Sequence, residues 1–401
     1  MSSVAAVLHH LEPARSILRD SGRTDSWFIA RHGMNLYRGC QHACAYCDGR
    51  TERYRVAGDF SRDIVVKSNA LSVLAGELDR LVEPGFVFLG GGVSDAWQPA
   101  EAEHRLARGA LDLLLERGLP VHVLTKSALV ERDLERLQAI QQRSRAILSF
   151  SIQTLDESVR QRYEPGAAPI AQRWRLLERA KAMGLVTGVM AMPVLPGISD
   201  QPEAIDALLA RAADAGVDFV LCSGLTLRPG AQKQAMLDAL SCHHPDLIHG
   251  YRTVYQADLA SGAPDPRYGQ RVTDRFHAAL QRHGLPDRVP RHVFANLLPQ
   301  YAEAAVLLEH RQHELERQGG RAPWLGRSGQ ALQRWAVSAL RGLGRSRGPG
   351  AWQQVEQRFR ELIQRRELGH VDGMDTRSLS EIRSMVHAMP PPRGLAQLSL
   401  L

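Results

Sequence analysis

A chain of 401 residues, 44% hydrophobic and 23% charged, can bury a large core and has the composition of an ordinary globular protein, which excludes disordered and fibrous classes. No apolar run approaches the roughly 18 residues of a membrane span, and the start MSSVAAVLHHLEPARS, apolar only briefly before His9 and His10, does not read as a signal peptide, so a cytoplasmic location is expected. The net charge of +7 suits an anionic partner, nucleic acid first, but the only lysines are Lys67, Lys126, Lys181 and Lys233, and an arginine excess of this kind also follows from genome composition.

In chain order, residues 1–30 read as an N-terminal segment, and a short strand is expected just before Cys40. Apolar runs at 86–89, 121–124, 146–152, 186–192 and 219–221 read as buried strands. Helical patterns lie among them at about 68–82, 102–117, 129–142, 171–183 and 201–214. Gly118, Gly184 and Gly216 each follow one of these patterns where a helix C-cap belongs. The alternation is that of βα units around a parallel sheet. Six units are too few for a closed eight-stranded barrel, so the expected fold is α/β, a partial (β/α)6 barrel over 31–265 with a C-terminal helical extension. Residues 266–320 read as a helical part of the core with His- and Arg-bearing faces. Residues 321–401 read as a helical appendage, attached loosely through the Gly/Arg linker at 342–350 and ending in a Pro-containing tail.

The cysteines carry the chemistry. Five is an odd number, which argues against a disulfide framework, and three of them stand at Cys40-x3-Cys44-x2-Cys47. Three thiolates on one tight loop can ligate three irons of a cubane cluster and leave the fourth iron open. Zinc is the competing metal; His42, inside the loop, would complete a Cys3His set, since Cys222 and Cys242 stand alone far downstream. Cys242, beside His243 and His244, is a minor second candidate for metal.

This spacing, with Tyr46 before the last cysteine, resembles the motif of the radical S-adenosylmethionine (SAM) superfamily. Further motifs resemble its spore photoproduct lyase-like, DNA repair photolyase-like branch: Gly39 to Cys47, Ser94-Asp95-Ala96-Trp97-Gln98-Pro99-Ala100-Glu101, Thr125-Lys126-Ser127 with Arg132-Asp133, Ser151-Ile152-Gln153-Thr154, Glu164-Pro165-Gly166 with Arg173, and Pro193 to Gly197. The resemblance covers about residues 30–260. It implies a [4Fe–4S] cluster on Cys40, Cys44 and Cys47, with SAM bound at the open iron and cleaved reductively to a 5′-deoxyadenosyl radical that abstracts hydrogen from substrate. It places Tyr46 near the adenine, Gly90, Gly91 and Gly92 at the methionine amino group with Ser94 at the same strand end, Lys126 at the carboxylate and Ser151 at the ribose. The implied partners are an electron donor such as flavodoxin or ferredoxin and, as candidate substrate, nucleic acid. The same branch leads to an expected lyase-like outcome.

These motifs fall at the C-terminal ends of the expected strands, where α/β folds assemble their sites. Glu164 and Arg173 are expected either to form an ion pair at the barrel rim or to contact a ligand. Asp95 and Trp97 are expected on the active-site rim, where Trp97 is expected to stack on a planar substrate or to shield the site from water. The chain departs from spore photoproduct lyase proper, whose hydrogen-donating cysteine lies between the cluster loop and the third strand: no cysteine occurs here between Cys47 and Cys222. Cys222, ending the sixth strand, is the candidate hydrogen donor. The alternative function is a non-catalytic Fe–S protein or a zinc-stabilised nucleic-acid-binding protein.

Overall fold

The computed structural model describes residues 6–54, 56, 58–90, 93–344 and 348–389. Gly91, Gly92, the middle of the 342–350 linker and the tail after Met389 lie outside the described residues. The strands are β1 (Leu8–Glu12), β2 (Leu18–Asp20), β3 (Ala30–Met34), β4 (Tyr37–Arg38), β5 (Asp63–Lys67), β6 (Phe86–Leu89), β7 (Val121–Thr125), β8 (Ala146–Ser151), β9 (Val186–Val194) and β10 (Phe219–Gly224).

One sheet runs β10-β9-β8-β7-β6-β3-β2. From β3 to β10 every pairing is parallel, and β2 closes the other edge antiparallel to β3. Among the described residues this is the partial (β/α)6 barrel that the alternating pattern predicts. The first barrel strand, however, is β3. The two-residue β4, which stands nearest Cys40, belongs to a second sheet of order β1-β5-β4. That sheet escapes a sequence reading because β1 is largely exposed, with Leu8 and Leu11 facing outward, and so lacks the buried alternation by which a strand is recognised.

The expected helices appear as Ala70–Leu78, Leu106–Glu116, Leu134–Arg143, Ile170–Ala182 and Pro202–Asp214. Gly118, Gly184 and Gly216 close three of them at φ +63°, +80° and +65°, the left-handed turn that glycine adopts without a Cβ penalty. The stretch expected as one helix over 102–117 is broken at Arg105, a non-glycine at φ +54°. The helix expected from 129 starts instead as a 3-10 turn, Ala128–Asp133. The second break turns side chains inward: Arg132 and Asp133 reach Glu101 and Trp97 under the site.

The period-two alternation of strands divides the core in two. Val87, Val123, Leu148, Val189 and Val220 pack outward against the helices of the βα units. Phe86, Ile147, Met190, Phe219 and Leu221 pack into a second cluster with Phe294, Tyr301, Leu325, Leu332 and Phe359. That second cluster includes the helices Pro323–Gly342 and Ala351–Gln364. The loose attachment expected after residue 320 is therefore not what is found: these helices cover the face of the sheet that the βα helices leave open. No helix among the described residues is long and apolar enough to cross a membrane.

Candidate active site

The cysteine loop leaves β4 through Gly39, at φ +77°, where a Cβ would stand 2.8 Å from the Asp63 carbonyl oxygen. Its backbone is then tied on every side. Cys40 N–H donates to Phe60 O, Gly166 N–H to His42 O, and Ala45 N–H to Tyr163 O. Arg50 donates to the carbonyls of Cys44 and Ala43. Gln98 accepts from Gln41 N–H at 2.9 Å and donates to Gly39 O, while Gln41 accepts from Ala100 N–H at 2.7 Å. This reciprocal pair of glutamines joins the loop to the segment after β6. Gln232 donates to Tyr46 O from the helix Ala231–His243. A loop with its peptide groups satisfied by the fold can present its sulfurs to a ligand at little further ordering cost.

Cys40, Cys44 and Cys47 line one cavity of about 390 Å³, and Tyr46, Gly90, Ser94, Lys126 and Ser151 line the same cavity. The eight described residues expected at the site are thus brought together by the ends of β6, β7 and β8 and the cysteine loop. Gly90, at φ +143°, lies so close to β7 that a Cβ would stand 2.4 Å from Leu124 O. Ser94 donates its hydroxyl to Tyr37 O. Arg173 donates to the Ser151 carbonyl at 2.8 Å, fixing that strand end.

Burial sets the electrostatics. It pushes the Cys40 thiol well above its ordinary range, with the Asp95 charge adding to it, and pushes Cys44 up to about 12. Burial also acts on Glu164, but the Arg173 and Lys126 charges outweigh it and hold this carboxyl below the usual range. Arg173 and Glu164 form the expected ion pair at 2.7 Å, each about 1% exposed, and the Tyr46 hydroxyl donates to Glu164. Lys126 brings its ammonium 5.8 Å from the Tyr46 ring centre. No carboxylate pairs with that ammonium within 4.0 Å among the described ion pairs.

Asp95 is a positioning residue that the sequence placed only on the rim. Its carboxylate accepts from Thr125 Oγ1, from Lys126 N–H at 2.8 Å and from Trp97 N–H, and faces His42 Nδ1 at 3.4 Å. It thereby fixes the strand end that carries Lys126. Behind it, buried Glu101 accepts from the Tyr37 hydroxyl, Ala107 N–H and Arg132. The motif residues Gln98, Glu101, Arg132 and Asp133 are hence a scaffold for the loop.

Two expectations are corrected. Trp97 is fully buried and donates its indole N–H to Asp133 at 2.9 Å, so it neither stacks on a ligand nor faces one. Cys222 does not line the cysteine-loop cavity. It lines a neighbouring one of about 730 Å³, facing Asp287, Arg288 and Arg317. Strand alternation explains this: Cys222 packs on the helix-facing side of β10 with Val220, whereas Ser223 and Gly224 line both cavities. Cys242 is exposed on the surface.

Three thiols that open into one cavity are the donor chemistry that can ligate three irons of a cubane cluster.

Gly166 offers a direct test of the loop seat. A Cβ there would stand 2.1 Å from Gln41 O and 2.9 Å from His42 Cα, backbone that cannot swing aside. Gly166→Ala is expected to displace the loop and lower iron retained after reconstitution by at least about twofold, with overpacking of about 1–3 kcal/mol visible in the urea midpoint. Unchanged iron content and midpoint would show that the loop does not rest on this residue.

Residues 34–209 match the family model described as the radical SAM superfamily. An uncharacterised protein of Mycobacterium tuberculosis (strain ATCC 25618 / H37Rv) is 34% identical over 259 residues, 64% of this chain and 75% of that relative. An uncharacterised protein of Methanocaldococcus jannaschii is 26% identical over 172 residues, 43% of this chain and 63% of the relative. Among solved structures, spore photoproduct lyase complexed with dinucleoside spore photoproduct superposes with a TM-score of 0.53 at 15% identity, covering 69% of this chain and 79% of that one.

Proposed function

The chain belongs to the radical SAM superfamily and is an enzyme of that class, and from this premise we propose that Cys40, Cys44 and Cys47 hold a [4Fe–4S] cluster at which SAM is bound. The observation that carries the reading is the meeting, in one cavity, of three loop cysteines and the ammonium of Lys126, for which no carboxylate partner is found among the described ion pairs. When bound, the cluster supplies an electron that cleaves SAM reductively and yields a 5′-deoxyadenosyl radical. The protein's own residues do the rest. Lys126 meets the SAM carboxylate, fixed there by Asp95 through its own backbone N–H. Tyr46, pinned by Glu164, presents its ring to the adenine, and Ser151 faces the ribose. Gly90 gives the methionine end a wall without a side chain, and Ser94 lines the same cavity. Phe28, Phe88 and Met192 exclude water from the cavity.

The substrate reading is nucleic acid, in a spore photoproduct lyase-like branch of the superfamily. It is supported by the shared motifs, the fold likeness and the excess of arginine. The proposed electron donor is of flavodoxin or ferredoxin type, and a cytoplasmic location suits such a partner.

Equilibrium SAM binding to the reconstituted protein tests the site. Lys126→Ala is expected to keep its iron and bind SAM about tenfold or more weakly, the loss of one charge-assisted contact of roughly 1.5–3 kcal/mol. Equal affinity in wild type and variant would put the SAM carboxylate elsewhere and overturn this arrangement.

A further inference from the structure

The helices that follow the barrel carry a second constellation, away from the cysteine loop. His277 lies on Pro266–Arg282, His313 on Gln300–Arg317, and Asp287 on the connection between them. One ligand atom from each lies within 4.8 Å of the others. Asp287 Oδ2 stands 2.7 Å from His313 Nε2 and 3.7 Å from His277 Nε2. A tetrahedral ion with bonds of about 2.0–2.1 Å sets its ligand atoms about 3.3 Å apart, between these two values. The imidazole rings meet edge to face with centroids 5.5 Å apart.

The surroundings favour a cation. Arg317 Nη1 takes the other carboxylate oxygen at 3.0 Å, the outer partner that orients a ligating carboxylate. Asp274, Asp287 and Glu316 line this cavity against Arg288 and Arg317, an excess of one negative charge among the carboxylates and guanidiniums.

The geometry points to a site for one zinc ion, held by His277, Asp287 and His313. Two imidazoles and a carboxylate suit this ion and leave a coordination position open. That position faces the cavity of about 730 Å³, whose wall at Ser223 and Gly224 is shared with the cysteine-loop cavity. The ion would hold an oxygen or nitrogen donor of the substrate at that wall. This last role rests on the proposed SAM site, whereas the metal site does not.

The test is zinc content by mass spectrometry after gel filtration of reconstituted full-length protein exposed to Zn2+. Wild type is expected to hold one zinc per chain more than His277→Gln/His313→Gln, with the iron content of the two equal. His9, Glu103 and His104 form another close set, which these substitutions leave intact and which is common background. Equal zinc in both proteins overturns the inference and leaves a hydrogen-bonded His–Asp–Arg network. Should the double variant lose its fold, Co2+ added to wild type decides. A d–d spectrum of a nitrogen/oxygen site supports the ion, and thiolate charge-transfer bands alone contradict it. Failure to retain iron would sink the SAM reading and leave the zinc comparison standing.

Discussion

Cys44→Ala is expected to lower iron from about four per chain to below about one, and to reduce 5′-deoxyadenosine formation by more than a hundredfold, since even outer partners of a metal ligand are worth about 10–100-fold. Cys44 is 5% exposed and its carbonyl is held by Arg50, so the substitution removes a sulfur without freeing the loop. Two thiolates cannot anchor three corners of a cubane. Cys242→Ala, on the surface, is expected to change neither quantity and serves as the control. Full iron retention in Cys44→Ala would remove this residue from the ligand set.

Arg173→Met is expected to destabilise the fold by about 3–5 kcal/mol, because it strands the Glu164 carboxylate in the interior. Arg173 has no solvent to replace it: its guanidinium also donates to Ala168 O and Ser151 O. The Glu164 carboxyl, held down by that charge and by Lys126, would rise with the loss of its partner. Tyr46 would lose its fixed acceptor, so SAM affinity is expected to fall with stability. Replacing both residues, Arg173→Met with Glu164→Leu, is expected to recover much of the stability but not the SAM affinity, because burying an apolar pair carries no charge penalty. Urea unfolding of the three proteins checks this. A loss below about 1 kcal/mol in the single variant would mean that the pair is solvated and that the loop does not depend on it.

The legible part of this molecule is the part with a period or a spacing. Val121–Thr125 and Ala146–Ser151 are apolar runs long enough to be strands, and the glycines after the helices mark the boundaries. The cysteine spacing and a lysine at a strand end name the site because both are costly to bury without a ligand. What sequence leaves unread depends on side-chain direction or on partners distant in the chain. Trp97 and Asp133 are joined only by the fold, and nothing local distinguishes a rim tryptophan from a buried one. Cys222 falls at the expected strand end, but the alternation of β10 turns it to the neighbouring cavity. The β1-β5-β4 sheet pairs short strands far apart in sequence, one of them mostly exposed. His277 and His313 come from different helices and converge only through Asp287.

The central claim is tested most directly by anaerobic reconstitution with iron and sulfide, reduction by dithionite in the presence of SAM, and assay of 5′-deoxyadenosine. The account predicts about four irons per chain and 5′-deoxyadenosine that forms only when reductant and SAM are both present. Protein that folds and holds this iron yet releases no 5′-deoxyadenosine, or that takes up zinc at the loop cysteines and no iron, would contradict it.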